Sequence, residues 1–173
     1  GLLKALKGMK KENISQKNLA RLACHVEQNL INEHVGVQDQ YAASLGGIVE
    51  LKLNKNKILA NKLNLSKEFI NYFEKHILLG FTGTNRNSNV YTKRITKNIK
   101  ENKIDNYLSE INQIAIEGSN LFKNECEISL IAKLLIKSWN LKINLDNETT
   151  YGIFNDIIKT ALSNGAMAGK LMG

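Results

Sequence analysis

Two carboxylates and one arginine are the residues of this sequence whose types and settings could do chemistry. Asp39 stands between Gln38 and Gln40 in the run His34-Val35-Gly36-Val37-Gln38-Asp39-Gln40-Tyr41-Ala42-Ala43-Ser44-Leu45-Gly46-Gly47. At a loop-to-helix junction its carboxylate could accept a proton from a bound hydroxyl. Aspartate is equally a preferred N-cap, and residues 40–45 would then be the short helix it caps, with Gly46 as the stop. Glu27 lies four residues after Ala23 and one after Val26, which puts it at the edge of a buried helical stripe and not on its solvent face. A carboxylate so placed needs a partner. A magnesium ion beside nucleotide phosphates would be one, since hard cations take oxygen ligands; a lysine or arginine neighbour would be another.

Arg86 follows the apolar run that ends at Phe81-Thr82-Gly83. Its planar fork suits a phosphate or carboxylate, where lysine would offer only a point charge. Ser88 starts the next helix, and a helix N-terminus beside Arg86 would favour an anion, although a structural pairing with an acidic neighbour fits as well. The run from Gly165 through Gly169 and Lys170 to Gly173 has glycines spaced for close backbone approach to a phosphate or to another loop. It is not a Walker A loop, because no serine or threonine follows Lys170. His25 and His34 lack carboxylate or cysteine companions at ligand spacing and read as ordinary polar residues. Cys24 and Cys126 are far apart without metal-ligand spacing, so buried free thiols are expected and a disulfide is not.

The elements that must position these groups are mostly helical. Leu2, Leu3, Ala5, Leu6 and Met9 share a helical face with no capping residue ahead of it. Ser15 is an N-cap for a helix whose apolar positions Leu19, Leu22, Ala23, Val26 and Leu30 form a buried stripe. Residues 48–53 alternate as a half-buried strand, residues 54–56 turn, and residues 58–63 return as its hairpin partner. Ser66 caps a brief helix to Phe73, and Ile77 to Phe81 read as a buried strand ending at Gly83. Helical periodicity then predicts helices over 88–101, 103–123, 127–142 and 148–163.

With 173 residues, 43% of them apolar, the chain can build one ordinary core or two small ones. It has no apolar run long enough for a membrane span and no signal-peptide pattern, so a cytoplasmic protein without membrane association is expected. The formal charge of +8 would suit nucleic acid or a phosphorylated small molecule. Lysines are spread along the whole chain and aromatic residues make up 6% of it, which favours a solvated basic surface over a nucleic-acid footprint.

Together these motifs resemble the GHMP kinases, the superfamily of galactokinase, homoserine kinase, mevalonate kinase and phosphomevalonate kinase, and within it the heptose 7-phosphate kinases. The resemblance covers essentially the whole chain. Gly36 to Ala43 with Gly46-Gly47 resembles the second family motif, Phe81-Thr82-Gly83 with Arg86 and Ser88 resembles the substrate-side loop, and Trp139 and Lys142 followed by residues 165–173 resemble the approach to the third motif. It implies an α+β fold in two regions, with residues 1–65 as the end of the N-terminal domain and residues 66–173 as a mostly helical part of a ferredoxin-like C-terminal domain. It also implies that both ends of the family fold, including the first glycine-serine motif, lie outside this sequence, so that the chain by itself should not turn over ATP.

By the same resemblance Asp39 is the catalytic aspartate, Glu27 the magnesium ligand, and Gly36, Gln38 and Arg86 line the sugar phosphate pocket. Gly165 and Gly169 fall on the nucleotide side. The implied reaction moves the terminal phosphoryl group of ATP to the anomeric hydroxyl of a heptose 7-phosphate, with Mg2+ as the metal cofactor. Partners are then ATP and a sugar phosphate, with no nucleic acid and no membrane, and with room for a homodimer. A kinase of another sugar, of the fucose or galactose type, and a non-catalytic degenerate kinase module are the competing readings.

Overall fold

The computed structural model describes residues 1–54, 57–81, 83, 99, 105–145 and 152–172. They fall into two compact units, one formed by Gly1–Asn64 and the other by the described residues from Leu65 onward.

In the first unit α1 (Leu2–Met9) starts at Gly1 without a side-chain cap, as its sequence predicts. In α2 (Gln16–His25) the Ser15 hydroxyl accepts from the Asn18 amide at 3.3 Å, the expected capping bond. The helix continues directly into a π-helical turn, Val26–Leu30, and α3 (Gln38–Leu45) comes next. Strands β1 (Val49–Asn54) and β2 (Lys57–Lys62) form the predicted antiparallel hairpin, with Leu51 opposite Ala60 and Leu53 opposite Ile58. Gly46 and Gly47 join α3 to β1 at φ 67 and 69, a backbone region open to glycine. A Cβ on Gly47 would also lie 2.8 Å from Cε of Lys62.

The core of this unit is made of small residues and one ring. Ala20 and Cys24 of α2, Tyr41 and Leu45 of α3 and Ala60 of β2 are buried together, with Val37, Val49, Leu51 and Ile58 packed around them. Small side chains on α2 let α3 approach closely, and Tyr41 fills the space at 2% exposure. The helical stripe predicted for α2 is therefore rotated: Leu22, Ala23 and Val26 are half-buried, and Leu30 is exposed. Leu30 is the last residue of the π turn, whose wider winding departs from the α-helical spacing on which the stripe was drawn.

In the second unit α4 (Lys67–Lys75) is capped by Ser66, whose hydroxyl accepts from the Phe69 amide at 3.0 Å. Glu125, in the turn between α5 (Asp105–Lys123) and α6 (Ile128–Leu145), holds that cap from the other side. It accepts from the Ser66 amide at 2.5 Å and from the Ser66 hydroxyl at 2.7 Å. Phe69, Phe73 and Phe122 meet at ring-centroid distances of 5.1 to 6.2 Å. Trp139 of α6 is buried and contacts Phe154 of α7 (Gly152–Ser163) at 5.6 Å.

The buried strand expected at residues 77–81 is not formed: Leu78, Leu79 and Phe81 are 95%, 86% and 83% exposed in irregular backbone. An apolar run makes a strand only where an edge accepts its backbone groups, and among the described residues the one sheet consists of β1 and β2 alone. The helix expected at 88–101 lies outside the described residues, apart from Ile99. Both cysteines are free, Cys24 buried and Cys126 only half-buried.

Candidate active site

Glu27 sits in the π turn, where the Ile31 amide reaches the Val26 carbonyl at 2.9 Å and the Glu33 amide reaches the Glu27 carbonyl at 2.9 Å. A single π turn inside a helix re-aims the side chains it carries, and such turns recur at functional sites. Asn32, at φ 59, ends it. The next side chain, Gln28, donates its amide to the carbonyls of Val35 at 2.9 Å and Gly36 at 3.4 Å. The π turn is thereby tied to the loop that delivers α3, and the position of Glu27 is coupled to that of Asp39.

Asp39 is the second residue of α3, and the N-cap position belongs to Val37, which makes no side-chain cap bond. The capping alternative for Asp39 is thus removed. Its side chain is exposed, and among the described residues it makes no hydrogen bond or ion pair. A carboxylate in the first turn gains from the helix dipole while its oxygens stay open to a ligand. The partner of Glu27 is likewise settled among the described residues. It is the neutral side-chain amide of Gln40, which donates to Glu27 Oε2, and not a lysine or arginine.

Both carboxylates open onto one cleft of about 870 Å³, walled by α1, α2, the π turn and α3. Leu19, Ala23 and Val26 supply apolar wall, Ala43 and Ser44 the face of α3, and Lys4 and Lys7 a basic flank. Lys7 is paired with Glu12. The positions that fit a helical stripe on α2 therefore face the cleft as well as the core. In the adjoining core cluster the Cys24 thiol is pushed up in pKa by burial and, secondarily, by the negative charge of Glu27.

The remaining predicted site residues are distributed differently. Gly36 and Gln38 are at the entrance to α3 but are not among the residues lining this cleft. Gly36 has open space at its Cβ position and no positive φ, so neither packing nor backbone demands a glycine there. Arg86 lies outside the described residues. Gly165 and Gly169 are in the second unit, where each has a structural duty. Gly165, at φ 96, ends α7, with its amide on the Leu162 carbonyl and that of Ala166 on the Ala161 carbonyl. A Cβ on Gly169 would come within 3.1 Å of Ile158. The segment beyond is held by Lys170, which donates to the Ser138 hydroxyl at 2.7 Å, and by Lys142, which donates to the Leu171 carbonyl at 3.3 Å. Burial pushes the Lys170 pKa down. Sequence reasoning did not single out Gln28 and Gln40, whose partners are distant in the chain; their only local signal is that each directly follows one of the two carboxylates.

Comparison with known proteins supports the resemblance drawn from the motifs. No known family profile matches the chain. It is 27% identical, over an alignment of 175 positions that covers 100% of this chain, to D-glycero-alpha-D-manno-heptose 7-phosphate kinase of Campylobacter jejuni subsp. jejuni. The chain spans about half the length of that relative, 51%. Among solved structures it matches a D-glycero-D-manno-heptose 1-phosphate kinase from Bacteriodes thetaiotaomicron with a TM-score of 0.70 and 24% identity, over 99% of this chain and 46% of that one. The fold is accordingly part of the α+β fold of that solved kinase, and over its whole length the chain is similar in sequence to the Campylobacter jejuni heptose 7-phosphate kinase.

Proposed function

We propose that this chain carries the two catalytic carboxylates of an ATP-dependent heptose 7-phosphate kinase. The observation that carries the reading is that Glu27 and Asp39, from separate elements, line one cleft. Asp39 accepts or orients the proton of the sugar's anomeric hydroxyl, and that oxygen then bonds to the terminal phosphorus of ATP as ADP leaves.

The residues of the cleft fit a magnesium ion of the kind that draws most of its ligands from water and phosphate oxygens. One half-buried carboxylate faces the cleft, and among the described residues no group of three or more His, Cys, Asp or Glu could enclose a metal by itself. Glu27 would hold the ion, which when bound would neutralise phosphate charge. The phosphate-binding role of Arg86, the pocket roles of Gly36 and Gln38 and the nucleotide-side role of Gly165 and Gly169 belong to the same proposal and rest on motif resemblance. So do the reading of residues 1–65 and 66–173 as parts of the N- and C-terminal kinase domains and a cytoplasmic setting.

Because the chain spans half of its relative, we take the 173-residue chain alone to lack turnover and place the activity in a version of the relative's full length. The test is ATP-dependent phosphorylation by that version across heptose 7-phosphate, unphosphorylated heptose, fucose and galactose. A requirement for the 7-phosphate is expected. Preferred use of fucose or galactose would move the assignment to another sugar kinase, and no transfer to any sugar would favour a non-catalytic module.

A further inference from the structure

Gln40 is the one buried polar residue among the described residues, at 7% exposure. It directly follows Asp39 in α3 and reaches across to the π turn, where its Nε2 donates to Glu27 Oε2. Its own Oε1 is buried without a hydrogen-bond partner among the described residues. A side chain placed for stability alone would satisfy both ends of its amide, since an unmet buried acceptor is destabilising. This one satisfies only the end that meets Glu27.

The chemistry of the contact has a direction. A lysine or arginine at position 40 would also orient Glu27, but it would cancel the negative charge on which a cation depends. An amide fixes one carboxylate oxygen and leaves the charge in place. With Oε2 held, the other oxygen has no hydrogen-bond partner among the described residues, at the cleft that both residues line. Outer partners of this kind orient metal-binding groups and commonly change metal affinity by about 10- to 100-fold when removed.

We infer that Gln40 is a positioning residue for a divalent cation at Glu27, acting through the carboxylate and not touching the ion. The inference rests on the proposed role of Glu27 as the metal ligand. It also links metal affinity to the start of α3, because Gln40 and Asp39 are adjacent in one helical turn.

The experiment titrates Mn2+, followed by its electron paramagnetic resonance signal, into the 173-residue chain and into Gln40→Met and Glu27→Gln, with helix content and unfolding midpoint recorded for each. The expected result is saturable Mn2+ binding by the parent chain, loss in Glu27→Gln, and affinity weakened about 10- to 100-fold in Gln40→Met with its helix content unchanged. Parent-like affinity in Gln40→Met beside loss in Glu27→Gln overturns the inference and leaves Glu27 as the ligand. No binding by the parent, or undiminished binding by Glu27→Gln, overturns the metal role of Glu27 and this inference with it. Should Gln40→Met fail to fold, the side-chain amide signals of Gln40 in the parent decide: they shift on addition of Mg2+ if Gln40 holds the ligand, and stay fixed if it does not.

Discussion

Glu27 and Asp39 reach the same cleft from a π turn and from the first turn of a helix, and the Gln28 side chain ties those two elements together through the carbonyls of Val35 and Gly36. That tie joins the backbone segments from which the two carboxylates project. Phosphoryl transfer asks mainly for positioning and charge neutralisation, which a pair of this kind can serve.

The Cys24 thiol gives an independent check of the core. Cys24 is 7% exposed, and burial with the nearby charge of Glu27 raises its pKa, so little thiolate is present near neutral pH. Titration of the native chain with a chromogenic disulfide should modify Cys126 readily and Cys24 only at the rate of unfolding. Equal reactivity of the two would contradict the packing of α2 on α3.

The junction between α3 and β1 should be intolerant of a side chain. Gly47→Ala meets both a positive φ and the Lys62 side chain and should destabilise by about 1–2 kcal/mol. Gly36→Ala meets neither and should stay within about 0.5 kcal/mol of the parent. Denaturant unfolding of the two variants checks the contrast.

Acid should weaken the second unit through Glu125. The Ser66 amide and hydroxyl hold its pKa below the ordinary 4.5, so its contribution is present above that value and is lost as pH falls through the lower folded value. Unfolding midpoints should show the parent above Glu125→Gln at neutral pH, with the gap closing as pH drops below 4.5. A gap that persists in acid would mean that the Ser66 contact does not depend on the charge.

Much of the local structure was legible because its signals are local. Ser15 and Ser66 cap the helices their positions announce, and the alternation from residue 48 to residue 63 is a hairpin. The expected α+β fold holds. The illegible part depends on partners remote in the chain. The apolar run at 77–81 has strand composition, but composition does not supply a ladder. Asp39 has the residue type of a cap, yet the helix begins one residue before it, at Gln38. Leu30 lies in a π turn that no residue type encodes. Glu27 called for a partner, and only the folded chain showed that the partner is Gln40, thirteen positions away.

The most direct measurement is steady-state transfer from ATP to heptose 7-phosphate by a version of the relative's full length, beside Asp39→Asn and Glu27→Gln in the same background. Asp39→Asn should lower kcat by about 10²- to 10⁴-fold with the unfolding midpoint nearly unchanged, since the side chain is exposed, and Glu27→Gln should raise the Mg2+ concentration needed for half-maximal rate. Parental rates and parental Mg2+ dependence in both variants would contradict the assignment of this cleft as the active site.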